Sequence, residues 1–261
     1  MSRLIVTLIF MVVASTPCIS QELWLRPEKY FYEPGERAEI QIQSGDSFIG
    51  EPVAVENGQV ALLELWNRLG STDIRARYSA NDKASFGIQI PQQGYHFVFM
   101  RTDQTYTLNG DAFGEYVKQY GLEEQVGDIV TTDEQEVQLN LTHRIQLSLR
   151  SGKQGGSGWN KPLSLPIEIV PDKNPQVLRR GDRIHFKVLE NGEPAFGVRV
   201  KIWNRWDNRT TIQNIYTEKD GMISTTISNP GDWMVTVVKL TEGATPDAYR
   251  GESFSLLFGY R

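Results

Sequence analysis

Two stretches decide the fold: Pro34-Gly35-Glu36-Arg37-Ala38-Glu39-Ile40-Gln41-Ile42 and Arg180-Gly181-Asp182-Arg183-Ile184-His185-Phe186-Lys187-Val188. Each opens on a glycine turn and continues with apolar residues at every second position: Ala38, Ile40 and Ile42, then Ile184, Phe186 and Val188. Successive side chains of a strand point to opposite faces, so this spacing predicts a half-buried strand. The match extends beyond the strand. Gly50-Glu51-Pro52 follows the first stretch and Gly192-Glu193-Pro194 the second. Further on, Pro91-Gln92-Gln93-Gly94-Tyr95 precedes an alternating run from His96 to Met100, as Asn229-Pro230-Gly231-Asp232-Trp233 precedes Met234 to Val238. Three matches in the same order predict an all-β chain made of two copies of one immunoglobulin-like or prealbumin-like β-sandwich.

The rest of the chain agrees with that class. Val198, Val200 and Ile202 alternate, as do Val235 and Val237, and Asn57-Gly58, Asn191-Gly192 and Asp220-Gly221 are turn dipeptides. The chain has 261 residues, 39% hydrophobic and 23% charged, with 6 Trp, 10 Tyr and 11 Phe. That is too rich in aromatics for a disordered chain. A single cysteine excludes a disulfide framework or a thiolate zinc site.

Residues 1–20 read as a secretory signal peptide: Arg3, an apolar run from Leu4 to Ala14, and a small-residue exit at Cys18 and Ser20. The run is too short to span a bilayer, which takes about 20 residues. Cleavage near Ser20-Gln21 places the mature protein in the periplasm or outside the cell. Cys18 as a lipid-attachment site is the alternative, although Pro17 stands where such signals carry a small residue. No later segment is long enough for a transmembrane span. The formal net charge is −5, and the longest basic run is Arg179-Arg180, followed at once by Gly181-Asp182, so nucleic acid is not an expected partner.

One helix is expected near residues 111–121 of the first sandwich. Asp111 stands as its N-cap, Phe113, Tyr116, Val117 and Tyr120 share one face, and Gly121 closes it. Val137 to Leu149 keeps strict period two and reads as a strand with an optional helical start. The organisation is then 21–150 for the first sandwich, 151–164 for a Gly/Ser-rich loop or linker, and 165–261 for the second sandwich.

Several segments in order resemble a known family. They are Gln21-Glu22-Leu23-Trp24-Leu25, Tyr32-Glu33-Pro34-Gly35, Gly94-Tyr95, the helix from Phe113 to Leu122, Leu165-Pro166-Ile167-Glu168-Ile169-Val170-Pro171 with Asn174-Pro175, and the unit from Asp220-Gly221 to Trp233. Together they are similar to the periplasmic family called domain of unknown function 4198, sometimes labelled a nickel-transport-complex subunit. The resemblance implies an exported accessory of metal uptake, with nickel as the ion and a transporter component or other envelope protein as partner. Members resembling this chain begin His-Asp-Leu-Trp-Leu, where this one has Gln21, and carry a histidine after the final Trp, where this one has Met234-Val235.

The residues themselves offer few sites. His96, His143 and His185 are the only imidazoles and are widely spaced, whereas nickel or zinc sites use two or three together. His96 and His185 both lie near repeated turns and are the candidate metal pair. Glu218-Lys219-Asp220-Gly221 lacks the alternating oxygens of a calcium loop. Gly156-Ser157-Gly158-Trp159 misses the nucleophile elbow, and no His-Glu-x-x-His occurs, so no catalytic residue is assigned and the chain reads as a non-enzyme. Aromatics give the alternative site. Trp203 and Trp206 lie three apart on an expected strand, so one should face the core and the other solvent, and Trp159 adjoins a glycine-rich loop. Exposed Trp159 or Trp206 would stack on polysaccharide or anchor an envelope protein, as in a structural or adhesion module. The overall expectation is an exported, non-enzymatic binding or accessory protein of the cell envelope.

Overall fold

The alternation after each repeated turn forms a strand at the centre of a small sheet. The computed structural model of the protein describes residues 22–80, 84–126, 134–152 and 158–260. The expected signal peptide, Cys18, Gln21 and residues 153–157 of the Gly/Ser segment lie outside the described residues. In chain order the first half contains β1 (Glu22–Pro27), β2 (Phe31–Tyr32), β3 (Arg37–Asp46), β4 (Ile49–Pro52), β5 (Val60–Asn67), β6 (Gly70–Asp73), β7 (Ser85–Gln89), β8 (Gly94–Asn109), α1 (Gly110–Tyr120), α2 (Glu123–Val126) and β9 (Glu136–Ser151). The second half contains β10 (Glu168–Pro171), β11 (Arg183–Glu190), β12 (Glu193–Pro194), β13 (Arg199–Trp206), β14 (Arg209–Tyr216), β15 (Met222–Thr226), β16 (Gly231–Glu242) and β17 (Ala248–Tyr260).

The chain is mostly β, and the sequence repeat is visible in the pairing. In the first half β1, β4 and β7 all pair with β3, and in the second β10, β12 and β15 all pair with β11. A nine-stranded sheet runs β14-β13-β16-β17-β9-β8-β5-β6, with β2 added beside β9. Read outward from its middle, β9-β8-β5-β6 repeats as β17-β16-β13-β14. The two halves meet where β9 and β17 pair in parallel, from Gln138 opposite Ala248 to Leu147 opposite Leu257. One continuous sheet therefore backs both small sheets.

The two small sheets cover opposite faces of that wall. Val98, Met100, Leu147, Trp203, Met234 and Leu257 pack with β1 and β3. Their strand neighbours Phe99, Ile202, Trp233, Val235, Leu256 and Phe258 point the other way and pack with β10 and β11. Each fully buried Phe or Leu of this kind contributes about 2 kcal/mol. Strands buried on both faces lose alternation and read as continuous apolar runs, as β8 does from Tyr95 to Met100.

Helix α1 extends the cover on the β1–β3 side. Phe113, Tyr116, Val117 and Tyr120 bury against Leu139, Leu141, Val238 and Leu240. Gly121 ends the helix in the left-handed conformation, as expected. Its N-cap is Asn109, whose side chain accepts from the Ala112 N–H, and not Asp111. Asp111 lies in the first turn, where a carboxylate is favoured by the helix dipole. A second helix, the short α2, was not expected. The run from Val137 to Leu149 is strand throughout, with no helical start. Among the described residues no helix is long and apolar enough to cross a membrane.

Candidate functional site, an aromatic groove

On the face of the central sheet that carries β10 and β11, the cover stops short of β5 and leaves a groove of about 380 Å³. Trp66 on β5 and Phe97 on β8 are cross-strand neighbours in its floor, with Phe99 and Gln146 in the next row. These side chains share a face because their positions have the same parity in register, which places aromatic surface side by side. Tyr95 stands at one end, and Gly158, Lys161 and Leu163 form the wall that leads toward β10.

The rim is polar and held in place. Trp66 Nε1 donates to Glu64 Oε2 at 2.7 Å, which fixes the ring. Arg68 Nε donates to Gln92 Oε1 at 3.2 Å, and Gln92 Nε2 donates to Asn67 Oδ1 at 3.3 Å. The wall is pinned because the Leu163 and Ser164 amides donate to the Glu168 carboxylate at 2.7 and 2.9 Å. Burial raises the Tyr95 pKa against the nearby Arg150 charge, so its hydroxyl stays protonated. That hydroxyl is buried and makes no hydrogen bond among the described residues. A buried polar atom without a partner is costly, so a ligand hydroxyl reaching it would be favoured. A flat aromatic floor bordered by amide, guanidinium and ammonium groups can stack on a ring and hydrogen bond its periphery.

The histidines expected from sequence do not meet. His96 on β8 is buried toward β1 and β3, with Nε2 placed 2.9 Å from the Gln92 carbonyl. His185 on β11 lies half-exposed on the outer side of the small sheet across the central one, paired through Nδ1 with Asp172 at 2.9 Å. The central sheet separates them, because β8 has His96 in register with the β1-facing Leu149 while His185 points away from the core residues Ile184 and Phe186. Among the described residues no group of three or more His, Cys, Asp or Glu stands together to hold a metal.

Trp203 is buried and Trp206 is 47% exposed, the latter because it ends β13, since Ile202 and Asn204 on its own face of the strand are buried. Trp206 is far along the chain order of the sheet from the groove. Trp159 is partly buried and lies between the wall residues Gly158 and Lys161. Trp66 and Phe97 are not singled out from sequence, and Tyr95 is read there only as part of the corner that opens its strand. For Phe97 and Tyr95 the sequence signal is the density of aromatics after Gly94, since both parities of that run are apolar; Trp66 has none comparable.

A second, smaller pocket lies between α1 and β1 and has room for about one water, at 10 Å³. Lys201 Nζ reaches Glu22 Oε1 at 3.1 Å and sits 4.4 Å above the Tyr120 ring. Burial raises the Glu22 pKa, opposed by Lys201. His143 Nδ1 is 2.9 Å from Ser253 Oγ, and desolvation pushes the imidazole down to about 4.

No curated protein matches this chain. Among solved structures it is similar to Salmonella alpha-2-macroglobulin reacted with methylamine, at 11% identity and a TM-score of 0.23, covering 92% of this chain and 15% of that one. It is similar also to Escherichia coli alpha-2-macroglobulin activated by porcine elastase, at 10% identity and 0.22, covering 92% and 30%. The chain thus spans less than a third of the length of either protein. The family described as a domain of unknown function, DUF4198, matches residues 20–240. With that match spanning both halves of the shared sheet, the chain belongs to the DUF4198 family.

Proposed function

We propose that this chain is an exported, non-enzymatic binding protein of the cell envelope, and that the aromatic groove takes a saccharide. The observation that carries this reading is the groove itself. Trp66 and Phe97 offer adjoining ring surface, Tyr95 a buried hydroxyl with no partner among the described residues, and Gln146, Gln93, Asn67 and Lys161 donors and acceptors around them. Sugar rings present an apolar C–H face edged by hydroxyls, which this arrangement complements. The binding residues assigned here replace Trp206 and leave Trp159 beside the wall. Export rests on the leader-like residues 1–20, and the non-enzymatic reading on the lack of a catalytic motif in the sequence. Metal uptake, the context implied by the family resemblance, has no comparable cluster of ligands behind it among the described residues.

Titration with chitohexaose and with maltohexaose, followed by tryptophan fluorescence and calorimetry, tests the groove. Saturable binding of either is expected, with Trp66→Ala weakening it at least about tenfold, the loss of roughly 1.4 kcal/mol of stacking. Trp206→Ala should leave it unchanged. Equal binding by the wild type and Trp66→Ala, or no binding of any oligosaccharide on a glycan array, would overturn the assignment.

A further inference from the structure

Among the described residues the central sheet ends on two edges that occupy equivalent places in the repeat, β6 and β14. A sheet edge presents unpaired N–H and C=O groups, and proteins normally blunt it with short strands, charge or proline. Edge β6 is blunted in this way: it has four residues, begins at Gly70, and ends at Asp73, which pairs with Arg75. Edge β14 is not. It runs for eight residues, and from Thr210 to Tyr216 it contains no charged residue, no proline and no glycine. Only Thr210 and Ile215 are partly covered.

Exposed apolar surface collects along the same edge. Trp206 at the start of the hairpin, Ile212 in mid-strand, Tyr216 at its end and Phe196 beyond are 47%, 44%, 59% and 67% exposed. Tyr216 and Phe196 also line a groove of about 610 Å³ that contains Glu123, Glu124 and Glu190. Lys239, its one lysine, is ion-paired with Glu190. From Thr210 onward the strand is therefore uncharged, and at the Tyr216 end it opens onto a groove whose three carboxylates exceed its one lysine; Arg199, opposite Tyr216, is held by the Gln119 carbonyl and the Asn214 side chain.

We propose that β14 is a strand-addition site for an extended segment of a partner protein that carries basic residues at its N-terminal end. Main-chain bonding along the open edge would supply affinity, and side-chain pockets specificity. Antiparallel pairing, the more stable geometry, sets the partner's N-terminal end beside Tyr216. There Lys or Arg would face Glu123 and Glu124, while alternate apolar side chains lie against Ile212 and Tyr216. This site is separate from the saccharide groove and does not depend on it.

The probe is a fluorescein-labelled ten-residue peptide, two basic residues followed by alternating Val and Thr, read by fluorescence anisotropy against the intact protein. Binding is expected, at least about tenfold weaker for a version starting with two Glu, and lost when alternate backbone nitrogens are methylated. Ile212→Lys, which sets a charge in an exposed strand position, should abolish binding without moving the thermal midpoint. Glu123→Lys with Glu124→Lys should invert the preference to the acidic peptide. Three outcomes would overturn the proposal: no binding of the basic peptide, binding indifferent to these substitutions, or a dimer by sedimentation that Ile212→Lys dissociates, which would make the occupant a second copy of the chain.

Discussion

His143 sits in a pocket with room for about one water, its Nδ1 against Ser253 Oγ, and its pKa is pushed down to about 4 by desolvation. In the unfolded chain an imidazole takes up its proton near pH 6.5. Between those two values the unfolded state binds more protons than the native state, so stability falls as pH drops from about 6.5 toward 4. The full difference is on the order of 3 kcal/mol. His143→Gln keeps a polar group beside Ser253 and should remove most of that decline in urea unfolding at pH 7 and pH 4. His96, lowered by burial as well, leaves a smaller slope of the same sign. Glu22 acts in the opposite sense: its raised pKa means that the native state holds a proton longer, so its ionisation lowers stability as pH rises above the usual carboxylate range. A decline unaltered in His143→Gln would place the pH dependence elsewhere. At this scale the sequence was partly readable. The spacing of Trp203 and Trp206 told which of the two was exposed only up to a choice, and burial of Lys201 and Glu22 as a pair separated by 179 positions had no local signature.

The two Gly-aromatic corners that launch β8 and β16 are a natural control for each other. Gly94 and Gly231 have φ of +120° and +99°, which side chains rarely adopt, so alanine at either carries backbone strain of about 1–2 kcal/mol. Their surroundings differ. A Cβ at Gly94 meets nothing within 4 Å, whereas at Gly231 it would lie 2.2 Å from the Arg205 carbonyl oxygen. Gly231→Ala should therefore lower the denaturation midpoint distinctly more than Gly94→Ala; equal losses would show that strain alone matters. These corners were legible because a turn and the strand after it are local. The helix was legible too, from Phe113, Tyr116, Val117 and Tyr120 on one face, while its cap moved from Asp111 to Asn109 because the helix starts at Gly110, three residues before the apolar periodicity begins at Phe113. The groove was not legible. Period two assigns faces only where one face is polar, and in β8 both His96–Val98–Met100 and Tyr95–Phe97–Phe99 are covered or aromatic. Which row met open space depended on how far β10 and β11 extend across the sheet, a long-range fact.

Two small sheets backed by one continuous sheet should unfold as one. Sequence repeats imply two similar units but say nothing about how they join, and a flexible tether would let each melt separately. Here β9 and β17 pair along ten residues in the middle of a continuous sheet, and unfolding either half would strip that strand edge from the other. The cores are linked as well, since Trp203, Met234 and Leu257 of the second half pack with Trp24 and Ile40 of the first. Any state with one half unfolded exposes this apolar surface and an unpaired inner edge, which makes it unfavourable against both end states. Calorimetry of the intact protein should show one transition with calorimetric and van't Hoff enthalpies in agreement. Truncations on opposite faces sharpen the point. Trp24→Ala on β1 and Phe258→Ala beneath β11 should each cost about 3–5 kcal/mol and shift the same transition. In independent sandwiches either variant would split the profile, leaving the untouched half to melt at its original temperature. A profile resolved into two components in one variant but not the other would show that the β9–β17 junction transmits stability in one direction only, against the symmetric sharing that the register implies.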